Sequence, residues 1–348
     1  MVIDTLPKFK KRYLNHLNKI EDYKLIKQLH EEENYDIDFM CEQLEISRSS
    51  YYKWLKSKPT KQQVEDEKVL TEIKQIAATN NNLFGSVKMT YKLKKLGFTC
   101  GHNKVARLMC INDIRSSFRR KGKPDTYIKS TPEVTAENIL KRDFKADKPF
   151  EKWNTDITEI KVPTTGEKLY IAPMLDLYCL YPVGINISER NDSILTDTLL
   201  IDTHERYPNA HPLAHSDRGF QYTRQVYKTL LEDYGMTQSM SRVSRCIDNG
   251  PCENFQGIFK EILFILYPNI TNKQEMIKAI YGTLDYYINE YPQARFKGKT
   301  AGEVWNEAMN NDNPIVYPIH KANRYIKYWN HIEELKLRSI TAWDLVIK

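Results

Sequence analysis

Three acidic residues stand in distinctive phrases of this sequence and could together carry out chemistry at a phosphodiester. Asp156 lies in Trp-Asn-Thr-Asp-Ile-Thr, and Asp217 lies in His-Ser-Asp-Arg-Gly-Phe-Gln-Tyr. Glu253 lies in Asp-Asn-Gly-Pro-Cys-Glu-Asn-Phe, with 35 residues between it and Asp217. Carboxylate oxygens suit Mg²⁺ and Mn²⁺, and two such ions can stabilise the attacking and leaving oxygens of an in-line displacement. We therefore predict that these three residues are catalytic and bind the metal ions.

Each acid also has a simpler interpretation when it is taken alone. Asp156 could be an ordinary residue at the edge of a strand, and Asp217 could be a turn residue before Arg218 and Gly219. Glu253 could face solvent on a helix, as most glutamates do. The prediction therefore depends on the phrases in which the three acids occur together.

These phrases resemble the Asp-Asp-(x35)-Glu catalytic core of transposases and retroviral-type integrases. In particular, residues 36–307 resemble the second-frame (OrfB-type) transposases of the IS-three insertion-sequence family. That family carries a basic residue seven positions after its glutamate, and Lys260 occupies this position here. The resemblance implies cleavage of a phosphodiester at a transposon end, followed by attack of the released 3′-OH on a second phosphodiester. It also implies that Lys260 contacts the DNA phosphate beside the ions.

The charge of the chain is unevenly distributed. The net charge is +7, and residues 1–150 hold 30 Lys and Arg against 20 Asp and Glu. Residues 86–129 alone hold 12 basic and 2 acidic residues. A concentrated basic segment is typical of nucleic-acid-binding proteins, although a solvated lysine-rich helix face has the same composition. The predicted partner is double-stranded DNA, both transposon terminal inverted repeats and target DNA.

Residues 36–57 have the pattern of a helix-turn-helix. Ser47 can cap a second helix that would present Arg48 and Lys53 to the major groove or its phosphates. The alternative is a small helical bundle with no DNA contact. The phrase Ile-Ser-Arg-Ser-Ser-Tyr-Tyr-Lys-Trp-Leu is similar to the family's N-terminal module and favours DNA binding.

A second helix-turn-helix is predicted from residue 86 onward. Ser86 can cap its first helix, Gly97 suits a left-handed cap at that helix's end, and one buried stripe is expected of Met89, Leu93 and Leu96. In the next helix, Lys104 and Arg107 are predicted to point outward as DNA-binding residues.

A basic linker that includes Arg119 and Arg120 follows the second helix-turn-helix. We expect it to lie along the phosphate backbone. DNA affinity should then fall steeply with salt, because each phosphate contact releases counterions.

The region after residue 150 has the element order of a ribonuclease-H-like core. Strands are predicted over 154–162, 168–178, 181–187 and 213–215, and helices over 193–206, 223–234 and 251–265. This order favours an α/β core with a mixed central sheet and flanking helices, preceded by all-α helix-turn-helix modules. The first strand would carry Asp156, and the fourth would end at Asp217 at the carboxyl edge of the sheet. Nearby, Asp248 is interpreted as a turn or capping residue. His215 either tunes the site or supports its strand, and support is favoured.

Five segments are predicted along the chain. They are an N-terminal helical region with a helix-turn-helix (1–60), a connector with the second, basic helix-turn-helix (61–123), a linker (124–150), the catalytic core with C-terminal helices (151–307) and an extension without an assigned role (308–348). None of the six cysteines has the spacing of a zinc site, so the zinc-binding module of retroviral integrases is not expected.

The hydropathy of the chain and the family resemblance together predict where the protein acts and which partners it has. No apolar run approaches the ~20 residues of a membrane span, and the N-terminus lacks the apolar core of a signal peptide. We therefore expect a cytoplasmic protein with no membrane partner, and the resemblance implies a bacterial, nucleoid-associated one. The resemblance implies a homo-oligomer on DNA and a first-frame transposase protein as a further partner. Two alternatives to an active transposase remain open: a DNA-binding accessory subunit, and a structure-specific nuclease.

Overall fold

A computed structural model describes residues 22–58, 60–118, 135–242 and 246–318 of the chain. The chain divides into two compact units, which are Met1–Pro124 with Glu261–Pro268, and Asp125–Lys260 with Asn269–Lys348. Arg119 and Arg120 lie outside the described residues, as do most of the predicted extension and the first part of the predicted linker.

Within residues 22–58 the structure describes three helices. These are α1 (within 22–33), α2 (Ile37–Gln43) and α3 (Arg48–Leu55). Asp36 caps α2 by accepting a hydrogen bond from the Asp38 amide. Ser47 occupies the N-cap position of α3 as predicted, but its hydroxyl pairs with that of Ser49 and caps no backbone amide. A buried cluster holds the three helices together and consists of Ile26, Met40, Cys41 and Tyr51.

Residues 60–118 form α4 (Lys61–Thr79), α5 (Ser86–Lys95) and α6 (His102–Ile111). Gly97 has a φ of 87° and forms the predicted left-handed cap, while the Phe98 amide donates back to Leu93 O at 3.0 Å. Leu96 is 55% exposed, so its predicted place in the buried stripe is wrong. It is the C-cap residue of α5, where the chain leaves the helix. The N-cap position of α5 belongs to Gly85, not to Ser86.

The second unit is built on a mixed sheet that has six strands among the described residues. The strands are β1 (Lys152–Thr155), β2 (Thr158–Lys161), β3 (Lys168–Asp176), β4 (Tyr181–Ser188), β5 (Leu213–Ser216) and β6 (Thr237–Met240). Their order is β2-β3-β1-β5-β6, with β4 on the free side of β3. β3 pairs antiparallel with β1, β2 and β4, whereas β5 runs parallel to both β1 and β6. The predicted mixed sheet of an α/β ribonuclease-H-like core is confirmed.

The predicted first strand is interrupted at Asp156 and Ile157. β1 pairs with residues 174–176 of β3, and β2 pairs with residues 168–171 of the same strand. β1 and β2 therefore follow one another along one edge of β3, with two residues outside the ladder. The sequence also gave no prediction of β6, because Thr-Gln-Ser-Met is short and mostly polar.

Helices follow the strands along the chain. They are α7 (Ser193–Arg206), α8 (Gln225–Asp233), α9 (Gly250–Leu266), α10 (Lys273–Asn289) and α11 (Ala301–Met309), and a short 3-10 helix, Cys246–Asn249, precedes α9. They belong to the second unit, except for residues 261–266 of α9, which belong to the first. α7 lies close against β4 because Gly184 has no side chain, and a Cβ there would collide with Thr203. Trp153, Leu199 and Ala214 join the large core cluster between sheet and helices. Among the described residues, no helix has both the length and the apolar composition needed to cross a membrane.

Candidate active site

Each acid of the predicted triad lies at the end or the beginning of an element. Asp156 follows β1 at the interruption before β2, and its carboxylate accepts a hydrogen bond from the Ile157 amide at 2.9 Å. Asp217 follows β5, and its carboxylate accepts from the Gly219 amide at 2.8 Å. Glu253 lies in the first turn of α9 and is exposed. Both aspartates are thus oriented by local backbone amides, whereas the glutamate side chain reaches solvent.

The parallel register of β1 and β5 sets the two aspartates side by side. Asn154 pairs with His215 in this ladder. Asp156 and Asp217 each follow two residues later, at the carboxyl edge where the two strands end. Loops beyond the carboxyl ends of parallel strands are where α/β proteins gather their functional groups.

Asp156 lies in the electrostatic field of the other two carboxylates. Burial raises the pKa of Asp156 well above its usual range, and the negative charges of Asp217 and Glu253 raise it further. Burial also raises the pKa of Asp217. Negative groups gathered in a partly buried place are unstable unless a proton or a cation neutralises them. The arrangement therefore favours a bound cation.

The donor atoms suit hard divalent ions, because all three side chains offer carboxylate oxygens. Within the described ranges, however, no group of three His, Cys, Asp or Glu side chains is already gathered closely enough to hold one ion. Glu253 is the exposed member of the three. The residues fit such ions by their chemistry.

His215 supports the strand, as the sequence indicated. Its ring is fully buried and contacts the Ser239 hydroxyl through Nδ1 at 2.9 Å and the Asp248 carbonyl through Nε2 at 3.0 Å. Burial lowers the pKa of His215 to about 4. The ring is therefore neutral near pH 7 and links β5, β6 and the segment before α9.

Asp248 was interpreted from the sequence as a turn or capping residue, and that interpretation is wrong. Its side chain is fully buried and accepts hydrogen bonds from Arg142 Nε and from Arg242 Nε and Nη2. Asn138 Nδ2 donates to the same carboxylate at 2.9 Å. Burial alone would raise the pKa of Asp248, but the two guanidinium groups hold it well below its usual range. Asp248 thus joins the segment before β1, the end of β6 and the approach to α9.

Sequence reasoning missed this network, although one signal was present. The phrase Asn138-Ile-Leu-Lys-Arg-Asp-Phe144 was similar to the family's phrase before the core. It contains both Asn138 and Arg142. Their target could not be read from it, because Asp248 lies 106 positions after Arg142.

The predicted DNA-binding residues occupy different environments. Arg48 lies at the start of α3 with its Nε 2.6 Å from Asp38 Oδ1, and its side chain is 60% exposed. Lys53 is exposed on the same helix. Lys260 lies on α9, two turns beyond Glu253, and is half-buried.

The prediction that Lys104 and Arg107 point outward is wrong. Lys104 Nζ lies 2.8 Å from Asp66 Oδ1, and Arg107 pairs with Oδ2 of the same carboxylate. The Lys104 side chain is only 18% exposed. Asp66 on α4 therefore binds both cations of α6 and holds their side chains against α4.

Two family profiles match the chain. The Integrase core domain matches residues 146–246, which span β1 to β6, and an HTH-like domain matches residues 64–122, which include α5 and α6. The InsK protein of insertion sequence element IS150 from Escherichia coli is 34% identical, over 78% of this chain and 94% of its own length. The chain belongs to the family of insertion-sequence transposases.

Further relatives agree with this membership. The transposase for insertion sequence element IS904 from Lactococcus lactis is 29% identical, over 67% of this chain and 90% of its own length. Among solved structures, the catalytic core domain of HTLV-2 integrase in complex with magnesium is similar, with 19% identity, 45% of this chain and 96% of that chain covered, and a TM-score of 0.35. That structural similarity is too weak to add support. Membership in the family makes this chain a DNA transposase, as the phrases around the acids predicted.

Replacement of Asp248 tests its role in this transposase. We expect Asp248→Asn to lower the free energy of unfolding by about 3–5 kcal/mol near neutral pH, because it removes the carboxylate that two guanidinium groups bind. The pKa of the folded carboxyl lies below that of the unfolded one. The difference between wild type and variant should therefore be complete above about pH 4 and shrink as the pH falls below it.

A matched control is Asp143→Asn. Asp143 pairs with Lys152 at 2.7 Å, but its carboxylate is 70% exposed, so the expected loss is about 1 kcal/mol or less. Urea denaturation of both variants at several pH values measures the comparison. Equal losses for the two variants would contradict the role assigned to Asp248.

Proposed function

We propose that this chain cleaves transposon-end phosphodiesters and joins the released 3′-OH to a second DNA strand, with Mg²⁺ or Mn²⁺ as cofactor. The proposed catalytic residues and metal ligands are Asp156, Asp217 and Glu253. The observation that carries the proposal is the raised pKa of Asp156, which is caused by burial together with the negative charges of Asp217 and Glu253. Such a group of negative charges is expected where cations are to be bound.

The proposed division of labour follows from the surroundings of each side chain. Two bound divalent ions would supply activation of the attacking oxygen and stabilisation of the leaving oxygen. Asp156 and Asp217 are held by the amides of Ile157 and Gly219, so they would form the fixed side of the site. Glu253, which is exposed on the first turn of α9, would close it.

The proposed substrate is double-stranded DNA, as transposon terminal inverted repeats and as target. Lys260 lies two helical turns beyond Glu253, so both project from one side of α9. Its ammonium group would meet a phosphate beside the carboxylates. Arg48 and Lys53 on α3 would contact further phosphates. Arg119 and Arg120 remain predictions for the same role.

Lys104 and Arg107 require an additional step before they could bind DNA. Both are paired with Asp66, so a phosphate would have to replace this carboxylate. A homo-oligomer on the DNA and a first-frame transposase protein remain proposed partners, and bacterial nucleoid DNA is the proposed place of action.

One experiment separates the proposed activity from its alternatives. Purified protein is incubated with a labelled terminal inverted repeat and Mg²⁺, and nicking and strand joining are measured. Both products are expected. Binding without nicking would indicate an accessory subunit, and nicking of branched DNA without regard to the end sequence would indicate a structure-specific nuclease.

Isosteric replacement of the acids tests the residue assignment. We expect Asp156→Asn, Asp217→Asn and Glu253→Gln each to reduce cleavage and joining by more than the about 10–100-fold that is typical of residues surrounding metal ligands. DNA binding measured by fluorescence anisotropy should persist, because the helical unit is untouched. The control Glu232→Gln removes an exposed acid of α8 and should cleave normally. Normal cleavage by any of the three variants would exclude that residue from catalysis.

The DNA-binding residues are tested by the salt dependence of affinity. We expect Lys53→Ala to lower the slope of log K against log salt by about 1, because one phosphate contact is lost. Asp66→Asn should tighten DNA binding, because it removes the carboxylate that binds both Lys104 and Arg107. Glu67→Gln is the control, since it removes the same formal charge at an exposed neighbouring position of α4. Equal affinities for Asp66→Asn and Glu67→Gln would show that Lys104 and Arg107 serve only the fold.

A further inference from the structure

Two buried asparagines lie between the elements that carry the three carboxylates. Asn154 is on β1, two residues before Asp156, and is fully buried. Asn249 directly precedes α9, four residues before Glu253, and is 2% exposed. Buried amides are costly unless their donors and acceptors find partners, so the contacts of these two residues matter.

The two side chains bond to each other and to the backbone around them. Asn154 Nδ2 donates to Asn249 Oδ1 and, at 3.3 Å, to the His215 carbonyl. Asn249 Nδ2 donates to the Thr155 carbonyl at 3.3 Å. Asn154 Oδ1 accepts from the Cys252 amide at 3.0 Å.

The orientation of the Asn154 amide is fixed by this pattern. Rotating it by 180° would aim its NH₂ group at the Cys252 amide, a second donor, and its oxygen at the His215 carbonyl, a second acceptor. Both contacts would be repulsive. Asn154 therefore has one arrangement that satisfies its donors and its acceptor.

Asn154 contacts all three elements of the triad. Asn154 lies on β1, two residues before Asp156. It bonds to His215 on β5, two residues before Asp217. It also bonds to Cys252 on α9, directly before Glu253. The first turn of a helix has amides without partners inside the helix. Here a side chain of β1 satisfies one of them, so the start of α9 is tied to the strand of Asp156.

We propose that Asn154, together with Asn249, is a positioning residue that sets the spacing of Asp156, Asp217 and Glu253 and thereby the affinity of the site for divalent ions. This inference rests on the proposed function. A side chain is needed to fill the space that Asn154 occupies. Filling that space would not by itself require an amide whose donor and acceptor groups are both hydrogen-bonded. Small displacements of ligands are costly to metal binding, and partners of metal ligands typically change affinity or activity by about 10–100-fold when they are replaced.

The test compares Asn154→Ala, Asn249→Ala and the double variant with the full-length wild type. The matched control is Asn186→Ala, because Asn186 Nδ2 also joins a strand to a helix, by donating to Leu195 O at 3.0 Å. That bond connects β4 with α7 and touches none of the three elements of the triad. Four quantities are measured: the Mg²⁺ concentration that gives half-maximal cleavage, kcat, the DNA dissociation constant and the melting temperature.

We expect Asn154→Ala to raise the half-maximal Mg²⁺ concentration and to lower kcat by about 10–100-fold, with DNA affinity unchanged. Asn249→Ala should act in the same direction, and the double variant should resemble Asn154→Ala, because the two residues act as one unit. Asn186→Ala should lower the melting temperature while its Mg²⁺ dependence stays that of the wild type. If Asn154→Ala does not fold, Asn249→Ala carries the test, because it removes the acceptor that helps to fix the Asn154 amide while Asn154 itself stays in place.

Hydrogen exchange supplies a readout that is independent of metal and of activity. Peptides covering residues 250–255 should exchange faster in Asn154→Ala, because the Cys252 amide loses its acceptor, and should be unchanged in Asn186→Ala. A lowered melting temperature with unchanged Mg²⁺ dependence in Asn154→Ala would overturn the inference and leave a purely structural role. If the wild type itself fails to cleave, the proposed function fails, and the inference falls with it.

Discussion

The parallel pairing of β1 with β5 is the constraint on which the arrangement of the second unit depends. It sets Asn154 opposite His215 and therefore places Asp156 and Asp217 at one edge of the sheet. β1 ends at Thr155, and the interruption before β2 leaves Asp156 outside the ladder with β3. A continuous strand would have kept this backbone hydrogen-bonded to β3. The candidate site thus lies where the antiparallel pairing along this edge of β3 is interrupted.

The carboxylates at this edge of the sheet and the Asp248 carboxylate have opposite electrostatic surroundings. The pKa of Asp156 is raised by burial and by its acidic neighbours. In contrast, the pKa of Asp248 is lowered, because Arg142 and Arg242 bind its carboxylate. The two acids have different roles: a carboxylate that is paired with guanidinium groups holds the fold, and carboxylates that face other carboxylates suit a cation.

The sequence predicted the features that local phrases and element order can carry. These include the mixed sheet, the left-handed cap at Gly97, and transposase family membership. It could not predict contacts made across long separations. Nothing around Lys104 indicates that Asp66 from an earlier helix would pair with it, and nothing around Asp248 indicates its arginine partners. The interruption at Asp156 was hidden because four of the six residues in Thr-Asp-Ile-Thr-Glu-Ile are Thr or Ile, which favour strands.

Anomalous diffraction from crystals of the full chain with a transposon-end DNA and Mn²⁺ tests the central claim most directly. The account predicts an anomalous peak in contact with the carboxylates of Asp156 and Asp217, with Glu253 turned toward it. It also predicts that this peak weakens in Asn154→Ala. Manganese bound elsewhere, or no peak at this edge of the sheet in a DNA-bound wild-type crystal, would contradict it.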